Sequence, residues 1–206
     1  MSGFRKLPSW WARDDQGLKR FRGGANAGAS IAALKCLLAI TLMSEFSTQR
    51  AQVSYSGLMD LTGLSRPMIP GAISKLESEK MIEVYRKGYI NVYQLLAAPG
   101  DQKWAKVPYD RVRRALSEIP NKGEAPLAAL KIYIQLLANR WNSTREVEIS
   151  YDKLRDYIGV QKLRIRPGLD ILFSHTLLHV KQVEGEGASS QPHNVYTVLG
   201  DLRMPG

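Results

Sequence analysis

Residues 54–84 read SYSGLMDLTGLSRPMIPGAISKLESEKMIEV, and the fold prediction starts from this stretch. Leu58 and Leu61 place apolar side chains on one face of a short helix, and Gly63 stands where the chain has to turn tightly. A second helix follows, with one apolar stripe formed by Ile69, Ala72, Ile73 and Leu76. The stretch therefore predicts two helices joined by a turn, with a strand beginning near Met81.

The opposite side of the second helix carries polar and cationic residues. We expect Ser65 to cap or open this helix. The residues expected to face outward are Arg66, Pro67, Met68, Ser74 and Lys75. An exposed helix of this kind is what a DNA-binding protein offers to the major groove. On these residues alone, an ordinary amphipathic helical hairpin is the alternative.

Two β-rich runs follow the second helix, Met81–Tyr85 and Tyr89–Leu95, and the short basic turn Arg86-Lys87-Gly88 joins them. This spacing predicts a β-hairpin. Helix, turn, helix and hairpin in this order resemble the winged-helix DNA-binding superfamily, in the style of MarR-type and GntR-type regulators. The resemblance implies that the second helix enters the major groove, while the hairpin, or wing, reaches phosphates or the minor groove.

Pro70-Gly71 departs from the family pattern, because helix-forming residues usually occupy the middle of the second helix. Proline in a helix interior costs about 3 kcal/mol, whereas in the first turn it costs little. We therefore expect regular helix from near Pro70, with residues 65–69 as a looser lead-in. Pro167-Gly168 stands at nearly the matching place later in the chain, which predicts a late helix start in both places.

The second half of the chain repeats the first at an offset of 96 residues. Ala32-Ala33-Leu34-Lys35 recurs as Ala128-Ala129-Leu130-Lys131, and Gly63 recurs as Gly159. Further identities pair Ser54-Tyr55 with Ser150-Tyr151, Leu58 with Leu154, Asp60 with Asp156, Ile69 with Ile165, Leu76 with Leu172 and Val84 with Val180. The duplication predicts an α+β fold of two tandem winged-helix domains and counts against the plain helical hairpin.

The cluster Ala97-Ala98-Pro99-Gly100-Asp101 predicts the domain boundary. The first domain would span 1–100, with a basic N-terminal arm, and the second 101–206. The repeat continues with changed loop lengths: Trp104–Pro108 echoes Phe4–Pro8 at an offset of 100, and Asn194-Val195-Tyr196 echoes Asn91-Val92-Tyr93 at 103. Length changes confined to loops suggest that each half folds alone.

The candidate DNA-binding residues lie around the second helix and the wing of each unit. Arginine matches guanine acceptors with its two-pronged donor, and lysine mainly pairs with phosphate. In the first unit the candidates are Ser65, Arg66, Pro67, Ser74 and Lys75 on the helix and Arg86 and Lys87 on the wing. In the second unit they are Gln161, Lys162, Arg164 and Arg166. The second wing, residues 182–193, has two glutamates and no lysine or arginine, so we expect it to point away from DNA or to stay mobile.

Other basic residues could add phosphate contacts, although solvated surface charges explain them equally well. They are Arg5, Lys6, Arg13, Lys19, Arg20, Arg22, Arg111, Arg113 and Arg114. With 29 basic and 19 acidic residues the formal net charge is +10, which favours a polyanionic partner. Trp10 and Trp11 are expected in the core or an interface.

The single cysteine, Cys36, lies in an apolar run and is expected to be a buried thiol. One cysteine allows no internal disulfide and no cysteine zinc site, which favours a reducing compartment. The apolar run from Ile31 to Met43 is interrupted by Lys35 and looks too short to span a bilayer. We therefore expect a soluble, cytoplasmic, nucleoid-associated protein without a membrane partner.

No catalytic or cofactor-binding motif is visible in the sequence. His175, His179 and His193 share one half of the chain, but they lack a nearby cysteine and His179 falls in a predicted strand. We expect no metal, no cofactor and no enzymatic activity.

These observations predict a sequence-specific double-stranded DNA-binding protein, most simply a transcriptional regulator of bacterial or mobile-element origin. A plasmid or phage replication initiator or partition protein is the nearest alternative, since it would bind repeated origin sites with the same fold. A tandem winged-helix subunit of a chromosome-organising complex, which grips a partner protein, is the alternative from another class. Further partners compatible with the sequence are a second copy of the chain, in a homo-oligomer, and a replication or transcription protein.

Overall fold

A computed structural model describes residues 3–14, 16–87, 90–97, 100, 103–141, 143–183 and 193–204. The fold class is α+β, as the sequence predicts. The helices are α1 Ala27–Met43, α2 Tyr55–Thr62, α3 Met68–Ser78, α4 Tyr109–Glu118, α5 Glu124–Asn139, α6 Tyr151–Ile158 and α7 Lys162–Ser174. The strands are β1 Phe4–Pro8, β2 Arg50–Val53, β3 Ile82–Lys87, β4 Ile90–Leu95, β5 Trp104–Pro108, β6 Glu146–Glu148, β7 Leu178–Val183 and β8 His193–Val198.

Both halves have the same order of elements: a long helix, a strand, two helices and two strands. The three strands form an antiparallel sheet with the order β2-β4-β3 in the first half and β6-β8-β7 in the second. Both predicted hairpins are confirmed, with Val84 opposite Tyr93 and Val180 opposite Tyr196. The first strand of each sheet was not predicted, because Arg50–Val53 resembles a polar connector in sequence.

Matching residues begin and end the short helix of each half. The Ser54 hydroxyl accepts a hydrogen bond from the Gly57 N–H at 3.1 Å, and Ser150 accepts one from Lys153 at 3.2 Å, so both serines cap their helices. The helices end at Gly63 and Gly159, whose φ angles of 65° and 63° lie in the left-handed region. The predicted turn is therefore confirmed, and its glycine is required by backbone conformation.

The predicted late helix start agrees with α3 to within two residues and is wrong for α7. Helix α3 begins at Met68, two residues before Pro70, so this proline stands in the first turn. Helix α7 begins at Lys162, five residues before Pro167, and therefore contains its proline as the sixth residue. Pro167 therefore lies past the first turn, where it costs the helix one backbone hydrogen bond.

An antiparallel ribbon joins the two halves, since β1 pairs with β5. Lys6 lies opposite Lys106, and on either side Phe4 pairs with Pro108 and Pro8 with Trp104. The two strands are copies of one motif, so the pair of Phe4 with Pro108 corresponds to the pair of Trp104 with Pro8. The ribbon is therefore locally two-fold symmetric, and the Phe4 and Trp104 rings stack with centroids 5.5 Å apart.

Each half also lends an arm to the other. The first arm, residues 9–14 and 16–22, follows β1 and packs on α5 and α6 of the second half. The second arm, α4, follows β5 and packs on α1 and α2 of the first half. Trp11 and Leu18 of the first arm are buried, and Arg13 Nε donates to the Ala138 carbonyl at 3.1 Å. The hydrophobic core consequently runs without a break through both halves. Most of the predicted boundary cluster, namely 98, 99 and 101, lies outside the described residues.

Helix α1 crosses the middle of the first half and packs against α3 and α5. Together with the turn before it, Gly24–Met43, it spans 20 residues and is apolar enough to cross a membrane by length and composition. The stretch is longer than the run Ile31–Met43 considered from the sequence, because the helical conformation begins before Ile31. Within the protein 78% of its most apolar window is buried, as in the core helix of a globular fold.

Candidate nucleic-acid interface

The start of α3 presents a short exposed surface. Ser65, Arg66 and Pro67 form the turn that leads into the helix, and all three are exposed. The buried side chains of Leu64 and Ile69 flank this turn and anchor it to the hydrophobic core. Ser74 lies further along the same helix and is exposed as well. Four of the five helix candidates of the first half are therefore accessible to a ligand.

Lys75, the fifth candidate, is less free than its sequence position suggests. Its ammonium lies 3.6 Å from the Glu79 carboxylate and 3.4 Å from the Arg20 carbonyl oxygen. It also lies 5.3 Å from the centroid of the Phe21 ring. These contacts attach α3 to the first arm, so Lys75 has a structural role whether or not it reaches DNA.

The wing candidates are described only in part. Arg86 lies in β3 with an exposed side chain. The Lys87 side chain, the turn at Gly88 and Tyr89, and the tip of the second wing at 184–192 lie outside the described residues. Near the base of the first wing, the Arg50 guanidinium lies 5.9 Å from the ring of Tyr85, a half-exposed aromatic residue.

The start of α7 carries a denser cluster of cations. Gln161, Lys162, Arg164 and Arg166 are all exposed. Lys162 lies 3.6 Å from Asp152, and Arg166 lies 2.9 Å from Asp170, but all four of these side chains are more than half exposed. Exposed ion pairs contribute about 0–1 kcal/mol, so phosphate groups could replace these carboxylates at small cost.

A basic groove lies beside α3, between that helix, the first arm and the start of α1. It encloses about 550 Å³, and its cationic lining residues are Lys19, Arg20, Arg22 and Lys75. Arg20 is held by Asp14 at 3.0 Å and by Glu79 at 3.2 Å. The structure thus gathers arm residues that the sequence could only describe as scattered surface charges.

Two buried lysines lie behind the turns, and sequence reasoning missed them. Lys35 Nζ donates to the Thr62 carbonyl at 2.8 Å, and Lys131 Nζ donates to the Ile158 carbonyl at 2.9 Å. Both acceptors are the last residue of the short helix, where a cation complements the helix dipole. Burial lowers the pKa of each lysine to about 8. Both lysines end the repeated Ala-Ala-Leu-Lys motif, and this recurrence in an apolar helix could have identified them from the sequence.

The arms lock both turns from outside. A Cβ atom on Gly63 would lie 2.7 Å from the carbonyl oxygen of Ser117, and one on Gly159 would lie 2.7 Å from Lys19 Cγ. Ser117 belongs to the second arm and Lys19 to the first, so each turn is covered by the arm of the other half. The orientation of each candidate helix therefore depends on both halves.

Among the described residues, no group of three histidine, cysteine or carboxylate side chains could hold a metal ion. His175 Nδ1 instead lies 3.2 Å from a Glu118 carboxylate oxygen. Cys36 is buried, as expected, and burial raises the pKa of its thiol to about 12.

The architecture and surface define a basic α+β protein with two copies of a helix–turn–helix–hairpin arrangement joined by exchanged arms. No protein-family model matches the chain, and no curated protein is significantly similar to it.

Proposed function

We propose that the protein binds duplex DNA sequence-specifically through two winged-helix heads and acts as a transcriptional regulator. One observation carries the proposal: in both halves the second helix of a turn-linked pair begins with exposed cationic residues, and an antiparallel hairpin follows it. The net charge of +10 supports a polyanionic partner.

In this proposal α3 and α7 are the recognition helices. Arg66 in the first head and Arg164 and Arg166 in the second are the candidates for guanine edges, because a guanidinium can donate two parallel hydrogen bonds to O6 and N7. Ser65, Gln161 and Lys162 lie beside them and would hold the helices on phosphates or bases. Arg86 on the first wing would add a phosphate contact.

The ribbon between β1 and β5 suggests how the two heads are arranged. Its local two-fold symmetry favours heads in inverted orientation, and an inverted pair of heads matches an inverted repeat in DNA. The two half-sites should differ in sequence, because Arg66 of the first head corresponds to Lys162 of the second at the repeat offset of 96.

The direct test is selection of bound fragments from a genomic DNA library with the full chain. We expect enrichment of one imperfect inverted repeat beside a promoter. Enrichment of several direct repeats at one locus would instead support a replication initiator. Sequence-specific recognition is wrong if no motif is enriched.

A salt titration separates DNA binding from the alternative of a protein-binding module. Phosphate contacts release counterions, so log K should fall linearly with log salt, with a slope of about −0.9 per phosphate contacted. With cations on two helices and one wing, we expect several phosphate contacts. Absence of binding to duplex DNA even at low salt would favour a protein partner.

A further inference from the structure

The two buried lysines have the same place in the fold but different numbers of hydrogen-bond partners. Lys35 Nζ donates to three acceptors, namely the carbonyl oxygens of Thr62 and Ile119 and the side-chain oxygen of Asn121. An ammonium group has three donors, so Lys35 is saturated. Among the described residues, Lys131 Nζ has the Ile158 carbonyl oxygen as its single acceptor. Two of its donors thus lack a partner in the part of the chain that the structure describes, although Lys131 is only 2% exposed.

A cavity of about 370 Å³ adjoins Lys131. Its lining includes Gly23, Gly24 and Glu124, together with Gln161 and Arg164 at the start of α7. At the corresponding place of the first half, the side chain of Asn121 fills the space beside Lys35 and also donates to the Gly63 carbonyl at 2.6 Å. Glycine offers no such side chain, which leaves the space beside Lys131 open.

The charges and donors around this cavity determine which ligand fits. Lys131 and Arg164 contribute two cations, against one carboxylate from Glu124, and that carboxylate already accepts the Gly24 N–H. The ligand therefore needs several acceptor oxygens and a negative charge. A tetrahedral phosphate group supplies both, because its oxygens can accept from the ammonium and from the guanidinium together.

We propose that this cavity binds a phosphate group, which accepts hydrogen bonds from Lys131 of α5 and from Arg164 of α7. The inference does not depend on DNA binding, because the group can belong to a free small molecule or to a nucleic-acid backbone. It makes the two halves functionally different: the copy of the site beside Lys35 is closed by Asn121, which the second half supplies, and the copy beside Lys131 is open.

The test is calorimetric titration of the full chain with inorganic phosphate, in chloride buffer at constant ionic strength. We expect saturable binding that Arg164→Gln weakens at least about tenfold, because a charge-assisted hydrogen bond is lost. Arg166→Gln is the matched control, since Arg166 is also an exposed arginine of α7 and is not among the residues that line the cavity. No phosphate binding, or equal weakening by both variants, would overturn the proposal.

Two more variants test the roles of the other charges. Lys131→Met should abolish phosphate binding, whereas Lys35→Met, a change at the matching saturated position, should leave it intact in the folded protein. Glu124→Gln removes the opposing carboxylate and should raise the affinity several-fold. Weaker binding by Glu124→Gln than by the parent, with the fold unchanged, would contradict the assigned charge balance.

A competition experiment identifies the source of the phosphate. If duplex DNA displaces bound inorganic phosphate, the cavity takes a backbone phosphate; if both bind at once, it takes a free phosphate-bearing molecule. Either result supports the site. A protein that binds DNA but no inorganic phosphate would overturn this inference alone, and one that binds phosphate but no DNA would overturn only the proposed function.

Discussion

Gly168 of α7 lies directly against Ala128 of α5. A Cβ atom on Gly168 would come within 3.0 Å of the Ala128 Cβ and of the Ala129 backbone nitrogen. Gly71, which like Gly168 follows a proline near the start of its helix, has nothing within 4 Å of such an atom. The two Pro-Gly pairs therefore look alike in sequence and differ in what their glycines do.

Gly168→Ala should lower the free energy of unfolding by about 1–3 kcal/mol, because an added methyl group forces α5 and α7 apart. Gly71→Ala is the control and should raise that free energy by up to about 1 kcal/mol through helix propensity. Urea unfolding followed by circular dichroism measures both. Equal effects of the two substitutions would show that the close helix contact does not matter.

The free energy of unfolding should rise with pH between about 8 and 9. Burial lowers the pKa of Lys35 and Lys131 to about 8, from 10.5, so in this window the unfolded chain binds protons that the folded lysines have released. The gain is on the order of 1 kcal/mol per lysine per pH unit. Above pH 9 part of this gain in the free energy of unfolding is lost again. Burial raises the pKa of Cys36 and Tyr93 to about 12, so the folded protein keeps protons that these groups release in the unfolded chain.

Urea titrations at pH 7, 8 and 9 test this pH dependence. Lys131→Met should halve the rise, whereas Lys122→Met, which changes an exposed lysine, should leave it unchanged. A flat profile of the parent protein from pH 7 to 9 would mean that the buried lysines keep their ordinary pKa.

Arg66→Ala should weaken binding to the selected DNA site on the order of tenfold, because one bidentate contact to a base is worth about 1–3 kcal/mol. The loss of affinity should be largest for DNA that carries the selected half-site and small for DNA of random sequence. Arg203→Ala is the control: this exposed arginine pairs with Asp201 near the end of the chain, outside both candidate helices. Equal losses on specific and random DNA would reduce Arg66 to a phosphate contact.

Residues 1–100 and 101–206, produced as separate chains, should each lack a cooperative unfolding transition. Each half would lose its strand partner in the ribbon and the arm that covers its turn. Burial of large side chains such as Trp11 and Leu18, worth about 1.5–3 kcal/mol each, would be lost as well. Mixing the two chains should restore one transition in calorimetry. A half that melts cooperatively by itself would show instead that each unit folds alone.

Local patterns predicted the elements within each half. The apolar spacing of Ile69, Ala72, Ile73 and Leu76 gave α3 its buried face, and all four side chains are buried. The hairpins and the turn glycines followed from residue types that have few alternative conformations. The same apolar spacing identified the opposite face of α3 and α7 as exposed, so the candidate residues at the start of these helices could be predicted as well.

Contacts between the halves could not be predicted in this way. The pairing of Phe4 with Pro108 joins residues that are far apart in the chain, and neither strand carries a sign of its partner. The arms are short, and their packing depends on the surfaces of α5, α6, α1 and α2. The groove beside Lys75 lies where the first arm folds back on its own half, and the cavity beside Lys131 lies where Gly23 and Gly24 meet the second half, so both appear only in three dimensions.

Exchanged arms and a two-fold ribbon are the arrangement of a dimer whose two subunits have been joined into one chain. A homodimer has to encode both of its heads in a single sequence, and it dissociates when it is diluted. The fused chain differs on both points: a covalent bond fixes its stoichiometry, and the two copies of each position can carry different residues. The open cavity beside Lys131 and its closed counterpart beside Lys35 are one result of that freedom.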